Sequence, residues 1–366
     1  MEVKHFNMLA VAAVISLVTA GLVHSAYDTW TAESVTGEKL FPGFGDDVNR
    51  VSEVALQQGK QVFTFKKNGD QWTFVERGGY PVNAKKVREL LVRIATAELV
   101  EAKTRDPERY GLLELGDPKK DDAKSALVKL TDDKGNEIAE LVIGKSRESA
   151  FGAGKSGSYV RRPGNNQTWL SNVELKASFA VADWVDPVFF RFDTTSVASL
   201  TLTTPDGGDV KLIPDDKKDG DFKFAAIPEG KQPKSGVDAS VMVRGVKTLE
   251  LTDVNAAGAV KGGKDSSTIP VVLETKDNMK LQLTVLKIGE DDRWVSVKVL
   301  EDGKDAKRAK QLKDNLAGWQ FKIADWRSRQ IFKTYAEIFE DEVKLPGAEA
   351  KEKPVTAPAV NSPTQN

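Results

Sequence analysis

The sequence contains no cysteine, and its two histidines, His5 and His24, lie within or next to an apolar N-terminal segment. From residue 25 onward the chain therefore has neither a thiol nor an imidazole. For that part of the chain, this excludes disulfides, Ser-His-Asp and Cys-His catalysis, zinc sites built from cysteine or histidine, and histidine-ligated haem. We expect no catalytic residues, no cofactor and no metal site.

A strong net charge is also missing. The 53 lysines and arginines nearly balance the 54 aspartates and glutamates, so the composition does not indicate a nucleic-acid partner. With 366 residues, 40% of them hydrophobic, the chain is long enough for two domains, each with its own core.

One long apolar run stands near the N terminus. Met8–Val23 contains sixteen residues without a charge, and such a helix spans about 24 Å, compared with about 30 Å for a bilayer core. The run exceeds the usual signal-peptide core of about 7–15 residues, and Tyr27 and Trp30 resemble interfacial anchors. We expect residues 1–30 to be a retained membrane anchor, with a signal cleaved after Ala26 as the alternative. Lys4 favours a cytoplasmic N terminus, which places the bulk of the chain on the other side of the membrane.

The following segment, residues 58–196, alternates between strand patterns and turn signals. Asn68-Gly69 is a strong hairpin signal, and Asn83 precedes a helical stripe of apolar residues. The predicted elements are strands at Gln61–Phe65, Gln71–Glu76, Ala97–Ala102, Ser125–Leu130, Glu137–Ile143, Ser158–Arg162 and Gln167–Ser171, a helix containing Val87, Leu90, Leu91 and Ile94, and a helical stretch before Ala182.

The same order of elements recurs over residues 197–343. Leu99 corresponds to Leu249, Ile143 to Ile288, and the tripeptide starting at Ala182 to Ala324-Asp325-Trp326, at separations of 150, 145 and 142 residues. We therefore expect an internal duplication. The predicted fold class is α+β: an N-terminal transmembrane helix followed by two tandem, internally duplicated domains of mostly antiparallel sheet with packed helices.

Two C-terminal segments follow from composition and spacing. Residues 331–339 carry apolar side chains at helical spacing, which predicts a closing amphipathic helix, with a partner-binding helix as the alternative. Residues 344–366 are rich in proline and alanine and have little apolar surface to bury, so we expect a disordered tail.

Two motif-like segments do not fit the chemistry that they resemble. Gly152–Ser156 lacks the first glycine of a phosphate loop, because that position is Ser149. Asp215–Asp221 lacks the glutamate at the twelfth position of a calcium loop, where Ala226 stands. Both are better explained as hairpin turns.

One carboxylate pair is a candidate for acid–base chemistry. On a helix, Asp183 and Asp186 would share a face, and pairing would raise one pKa. The favoured interpretation is structural: Asp183 and Asp325 cap or terminate an element, while Trp184 and Trp326 fill equivalent core sites in the two repeats.

A basic patch is the candidate ligand site, with an anionic lipid headgroup or an acidic glycan as its ligand. The alternative is a solvated helix face together with a charged edge strand. The residues are Lys85, Lys86, Arg88, Arg93, Arg161 and Arg162.

Several segments resemble a bacterial family described as domain of unknown function 4340, over about Gln61–Asp193. They are Trp72-Thr73-Phe74, Gly79–Asn83, Leu90-Leu91, Ala97-Glu98-Leu99, Asp106–Leu112 and Val142–Lys145. The resemblance implies a fold and one N-terminal anchoring helix, and for some members a link to auxiliary subunits of gliding-motility-type ABC transporters. It implies no active-site residues.

The leading hypothesis is a non-enzymatic, single-pass protein of the bacterial inner membrane with a tandem-repeat binding scaffold in the periplasm. Its expected partners are the membrane and either ABC transporter subunits, as an accessory to export, or an envelope polymer. The competing hypothesis is a carboxylate-dependent, glycan-acting hydrolase centred on Asp183 and Asp186. A third is a purely structural envelope protein.

Overall fold

The computed structural model describes residues 37–204, 206 and 208–342. The predicted anchor at 1–30 and the predicted tail at 344–366 lie outside the described residues. Within these ranges, no helix has the length and apolar character that crossing a membrane requires.

Ten strands form the first sheet, and every neighbouring pair is antiparallel. The strand order across the sheet is β1-β6-β10-β9-β8-β7-β2-β3-β4-β5. The strands are β1 (Glu38–Lys39), β2 (Glu53–Gln58), β3 (Gln61–Asn68), β4 (Gln71–Phe74), β5 (Tyr80–Val82), β6 (Glu98–Ala102), β7 (Ala126–Thr131), β8 (Glu137–Arg147), β9 (Gly157–Arg161) and β10 (Thr168–Ser171).

Nine strands form the second, also antiparallel sheet, and β15 (Lys231–Pro233) pairs separately with β21 (Phe339–Asp341). The order in the second sheet is β11-β16-β20-β19-β18-β17-β12-β13-β14. Its strands are β11 (Val188–Arg191), β12 (Val197–Thr204), β13 (Gly208–Pro214), β14 (Phe222–Phe224), β16 (Thr248–Ala256), β17 (Ser266–Thr275), β18 (Met279–Ile288), β19 (Asp292–Asp302) and β20 (Trp319–Ile323).

The α-helices of the described residues are short. They are α1 (Phe44–Asp47), α2 (Ala84–Thr96), α3 (Ala239–Gly245), α4 (Ala306–Leu316), α5 (Asp325–Ile331) and α6 (Tyr335–Ile338). The coarse fold prediction is confirmed: the described part of the chain forms two large, mostly antiparallel sheets with few helices.

The two sheets have the same strand order. Adding ten to each strand number of the first sheet, apart from β5, reproduces the order of the second. The register also agrees at the central pairing: Glu53 of β2 faces Thr131 of β7, and Val197 of β12 faces Thr275 of β17, each pair 78 residues apart. The two sheets therefore have the same topology.

Helix α2 shows how the sequence determines the local packing. The Asn83 side chain accepts a hydrogen bond from the Lys85 N–H at 3.0 Å and so caps the first turn. The apolar stripe predicted from the sequence is buried in the core that the sheet also lines, and each such side chain contributes about 1.5–3 kcal/mol. The stripe consists of Val87, Leu90, Leu91 and Ile94.

The predicted closing helix over residues 331–339 is wrong. Helix α5 ends at Ile331, and Thr334 starts α6 with a capping box that includes Glu337. Phe339 then begins β21, opposite Pro233. The new cap and the strand pairing satisfy backbone groups that a continuous helix would have used within itself.

The predicted helical stretch before Ala182 is also wrong, because the structure has only a short 3-10 turn there, at Val181–Asp183. The first predicted repeat, 58–196, differs from the first sheet at both ends. β1 and β2 begin before residue 58, and β11 pairs with β16 of the second sheet.

Candidate binding cleft between the two sheets

An ion pair connects the two sheets: Arg77 follows β4 of the first sheet, and Asp253 lies in β16 of the second sheet. Arg77 donates from Nε to Asp253 Oδ1 at 2.6 Å and from Nη2 to Oδ2 at 3.2 Å. The guanidinium carbon also lies 5.7 and 5.4 Å from the ring centroids of Phe63 and Phe74. Because the Arg77 and Asp253 side chains are only 20% and 26% exposed, this two-point contact is largely shielded from water.

The turn after Arg77 lies directly against the second sheet. Gly78 has φ +66°, and a Cβ at this position would lie 3.1 Å from the Cβ of Ala256. The next aromatic residue, Tyr80, packs edge-on against Trp319, with a centroid distance of 4.9 Å. A glycine is needed here both for the left-handed backbone and for the close approach.

The connection between the sheets is bonded to both of them. The Asn83 N–H donates to the Trp184 carbonyl at 2.7 Å, and the Leu251 N–H donates to the Pro187 carbonyl at 2.8 Å. Farther along, the ring of Phe189 stacks on a ring of the second sheet, that of Phe321, at 4.1 Å. These contacts fix the segment relative to both sheets.

Residues of three segments, within 80–83, 186–189 and 314–319, line a cleft of about 350 Å³, here called the interdomain cleft. Two carboxylates line it. Asp186 Oδ1 accepts from the Val188 N–H at 3.2 Å, and Asp314 pairs with Lys310 at 2.6 Å. The lining residues used below are Tyr80, Asn83, Asp186, Phe189, Asp314 and Trp319.

The surroundings of Tyr80 shift the pKa of its phenol. Burial raises the pKa of Tyr80 to about 12, and the negative charge of Asp186 acts in the same direction. Both effects disfavour the phenolate. The ring therefore stays neutral over the ordinary pH range.

We expect this shift to make folding stability fall as pH rises from about 10 to about 12, because the unfolded phenol loses its proton near pH 10 while the folded one keeps it. Urea midpoints measured at about pH 9 and about pH 11 should show the loss in the wild type. The Tyr80→Phe variant should lose less over the same interval, and an equal loss in both proteins would contradict the assignment to Tyr80.

The predicted carboxylate pair does not share one cleft. Asp186 lines the interdomain cleft, whereas Asp183 lines a separate cavity of about 260 Å³, where it accepts a hydrogen bond from Ser178 Oγ. The expectation of a common helical face fails because the 3-10 turn ends at Asp183. The two groups are not arranged as an acid–base pair.

The six residues of the predicted basic patch are distributed over several places. Lys86 and Arg93 line the cavity of Asp183, where Arg93 pairs with Glu89 at 3.0 Å, and Arg88 lines a third cavity of about 390 Å³. Lys85 is exposed in the first turn of α2.

The two remaining arginines of that set contact other groups. Arg161 lies over the ring of Tyr110 at 4.9 Å, and Arg162 donates from Nε to the Leu40 carbonyl at 2.8 Å. The helical phase of α2 separates Lys86 and Arg93 from Arg88, and these contacts occupy Arg161 and Arg162. The structure therefore does not gather the six residues into one surface.

The prediction that Trp184 and Trp326 fill equivalent core sites is wrong for the second residue. Trp184 is buried against Phe65, whereas Trp326 is 61% exposed and lies beneath the guanidinium of Arg327 at 5.0 Å. Trp326 falls in the first turn of α5, where Ser328 and Ile331 occupy the buried positions. Asp325, the first residue of that helix, pairs with Arg329.

A family model described as "Domain of unknown function (DUF4340)" matches residues 72–271, more than half of the chain. The chain belongs to the DUF4340 family. No curated protein and no solved structure is detectably similar to it. The DUF4340 match runs from β4 into β17 and so extends beyond residue 193, where the resemblance in the sequence stopped.

The DUF4340 match contains both partners of the bridge between the sheets, Arg77 and Asp253, and also Tyr80 and Asp186 of the cleft. Trp319 lies beyond it. One segment of the family resemblance, Asp106–Leu112, has a structural role: Asp106 caps a 3-10 turn, and Tyr110 Oη donates to the Asn166 carbonyl at 2.7 Å.

Proposed function

We propose that this DUF4340 protein is a non-enzymatic scaffold of the bacterial envelope, held at the inner membrane by residues 8–23, which docks a partner protein in the interdomain cleft. The partner that we propose is a subunit of an ABC-type export system. One observation carries the proposal: three segments distant in sequence are fixed against one another and form a cleft that neither sheet forms alone.

Duplication of an ancestral sheet accounts for the shape of the scaffold. The shared strand order and the 78-residue separation in both central pairings support it, as do the spaced sequence correspondences.

A binding role fits the chemistry of the chain better than catalysis does. Residues 25–366 contain no thiol and no imidazole, so the usual nucleophile–base pairs cannot form there. The one carboxylate pair that the sequence offered is divided between two cavities.

Anchoring and transporter association are supported by the apolar run Met8–Val23 and by the context that the family resemblance implies. The experiment is membrane fractionation of cells that make the full chain, followed by intact-mass analysis and quantitative cross-linking. We expect the uncleaved chain in the membrane fraction and a transporter subunit cross-linked in stoichiometric amount.

The matched control is Ile15→Arg, which places a charge in the middle of the apolar run and should release protein from the membrane. Loss of about the first 26 residues would overturn the anchor. Cross-linking to envelope glycan, or to no partner, would overturn the transporter role.

A further inference from the structure

We infer that the interdomain cleft accepts a cationic side chain, the guanidinium of an arginine or the ammonium of a lysine, presented by the docking protein. The inference rests on the proposed function, because it gives the chemistry of the surface that the proposed partner would use. Nothing in the family description assigns this site.

Three aromatic residues line the cleft. Tyr80 and Trp319 meet edge-on at 4.9 Å, and Phe189 lies beside them in the same lining. All three residues are only partly buried, and all three line the cleft. The face of an aromatic ring attracts a cation, tryptophan most strongly.

The charged residues that line the cleft are acidic. The cleft is lined by the carboxylates of Asp186 and Asp314, and none of its lining residues is a lysine or an arginine. Lys310, one turn before Asp314, compensates that carboxylate from outside the lining. Among the described residues, the only hydrogen bond that the Asp186 carboxylate accepts is from the Val188 N–H. One carboxylate charge is therefore left without a cationic partner beside the aromatic rings.

The two cavities described above that contain Asp183 and Arg88 differ from the interdomain cleft in charge. The cavity of Asp183 already contains Lys86, Arg93 and Lys176, and the third cavity contains Lys67 and Arg88. In both of them the protein supplies its own cations. The interdomain cleft therefore has the electrostatic complementarity for a cation that comes from another molecule.

The test uses the full chain in detergent micelles, labelled with ¹⁵N and titrated with acetylated, amidated tripeptides Gly-X-Gly. X is arginine, lysine, norleucine or glutamate, so that the side chain alone carries charge. The readout is the indole N–H signal of Trp319, assigned with Trp319→Phe. We expect the arginine and lysine peptides to shift it with a dissociation constant of about 1–10 mM, and the norleucine and glutamate peptides not to shift it.

Two isosteric variants provide the matched comparison. Asp186→Asn keeps the acceptor for the Val188 N–H but removes the charge, and should weaken arginine-peptide binding about threefold to tenfold. Asp183→Asn, three residues away in the other cavity, should leave it unchanged. The inference is overturned by no shift with any peptide, by an equal shift with norleucine, or by an equal affinity in Asp186→Asn.

Cross-linking of the same variants in cells separates the two proposals. Equal capture of the transporter subunit by wild type and Asp186→Asn overturns the cationic contact and leaves the proposed function standing. Peptide binding without capture of any transporter subunit overturns the proposed function and leaves the chemistry of the cleft standing.

Discussion

Replacing Gly144 with alanine is expected to lower the free energy of unfolding by about 2–3 kcal/mol. Gly144 lies in β8, and a Cβ there would be 2.3 Å from the carbonyl oxygen of Leu113 and 2.9 Å from that of Glu114. These are backbone atoms, so the contact cannot be relieved by rotating a side chain. The segment would have to lift from the sheet, which would expose the completely buried Leu115.

Urea unfolding measures the loss. Gly111→Ala is the matched control, because Gly111 lies in the 3-10 turn that packs against β8 and nothing lies within 4 Å of its added Cβ. We expect the control to stay within about 0.5 kcal/mol of the wild type. Equal losses in the two variants would show that the close approach at Gly144 does not limit packing.

The second large effect is expected at the bridge between the sheets. Arg77→Ala should lower the free energy of unfolding by about 2–3 kcal/mol, because it leaves the Asp253 carboxylate, only 26% exposed, without its two-point partner. It also removes the alkyl chain and the guanidinium from the rings of Phe63 and Phe74. Asp253→Ala should cost less, since Arg77 keeps those aromatic contacts.

A double-mutant cycle between the two positions should give a coupling energy of about 1–2 kcal/mol. The surface pair of Arg50 and Asp47 is the comparison. Arg50 Nη1 lies 2.8 Å from Asp47 Oδ1, but the two side chains are 60% and 42% exposed. The coupling energy of this pair should therefore stay below about 0.5 kcal/mol. A coupling at Arg77 no larger than the one at Arg50 would mean that the bridge does not hold the sheets together.

Elements that depend on neighbouring residues could be predicted from the sequence. The hairpin through Gly69 and the capped helix α2 formed where predicted, because turn chemistry, capping and apolar spacing act over a few residues. Hairpin turns also occupy the Gly152–Ser156 and Asp215–Asp221 segments, between neighbouring strands of the two sheets.

The interdomain cleft could not be predicted in this way. Arg77 and Asp253 are 176 residues apart, and neither has a local pattern that marks it. Trp319 begins a strand that sequence analysis did not identify, next to the polar helix α4. Contacts between sheets depend on how two completed surfaces meet, and a periodic pattern in one segment does not contain that information.

The basic residues illustrate the same limit. Four of them belong to one helix and were expected to act with Arg161 and Arg162, which are close to each other in sequence. In the structure, Arg162 bonds to the Leu40 carbonyl 122 residues earlier. The two arginines serve the packing of their own sheet.

The strand order has a consequence for how the chain folds as it is made. Among the described residues, the strands of the first sheet all end by Ser171, and those of the second all begin at or after Val188. The first sheet can therefore close before the second exists, although β2 must wait for β7, and such distant pairings form slowly. Until β16 is complete, Arg77 has no Asp253 to bind, and the side of the first sheet that forms the cleft stays uncovered. The partly synthesised chain therefore exposes Tyr80 and the rest of this side of the first sheet, and we expect this to be the stage at which it most needs protection from aggregation.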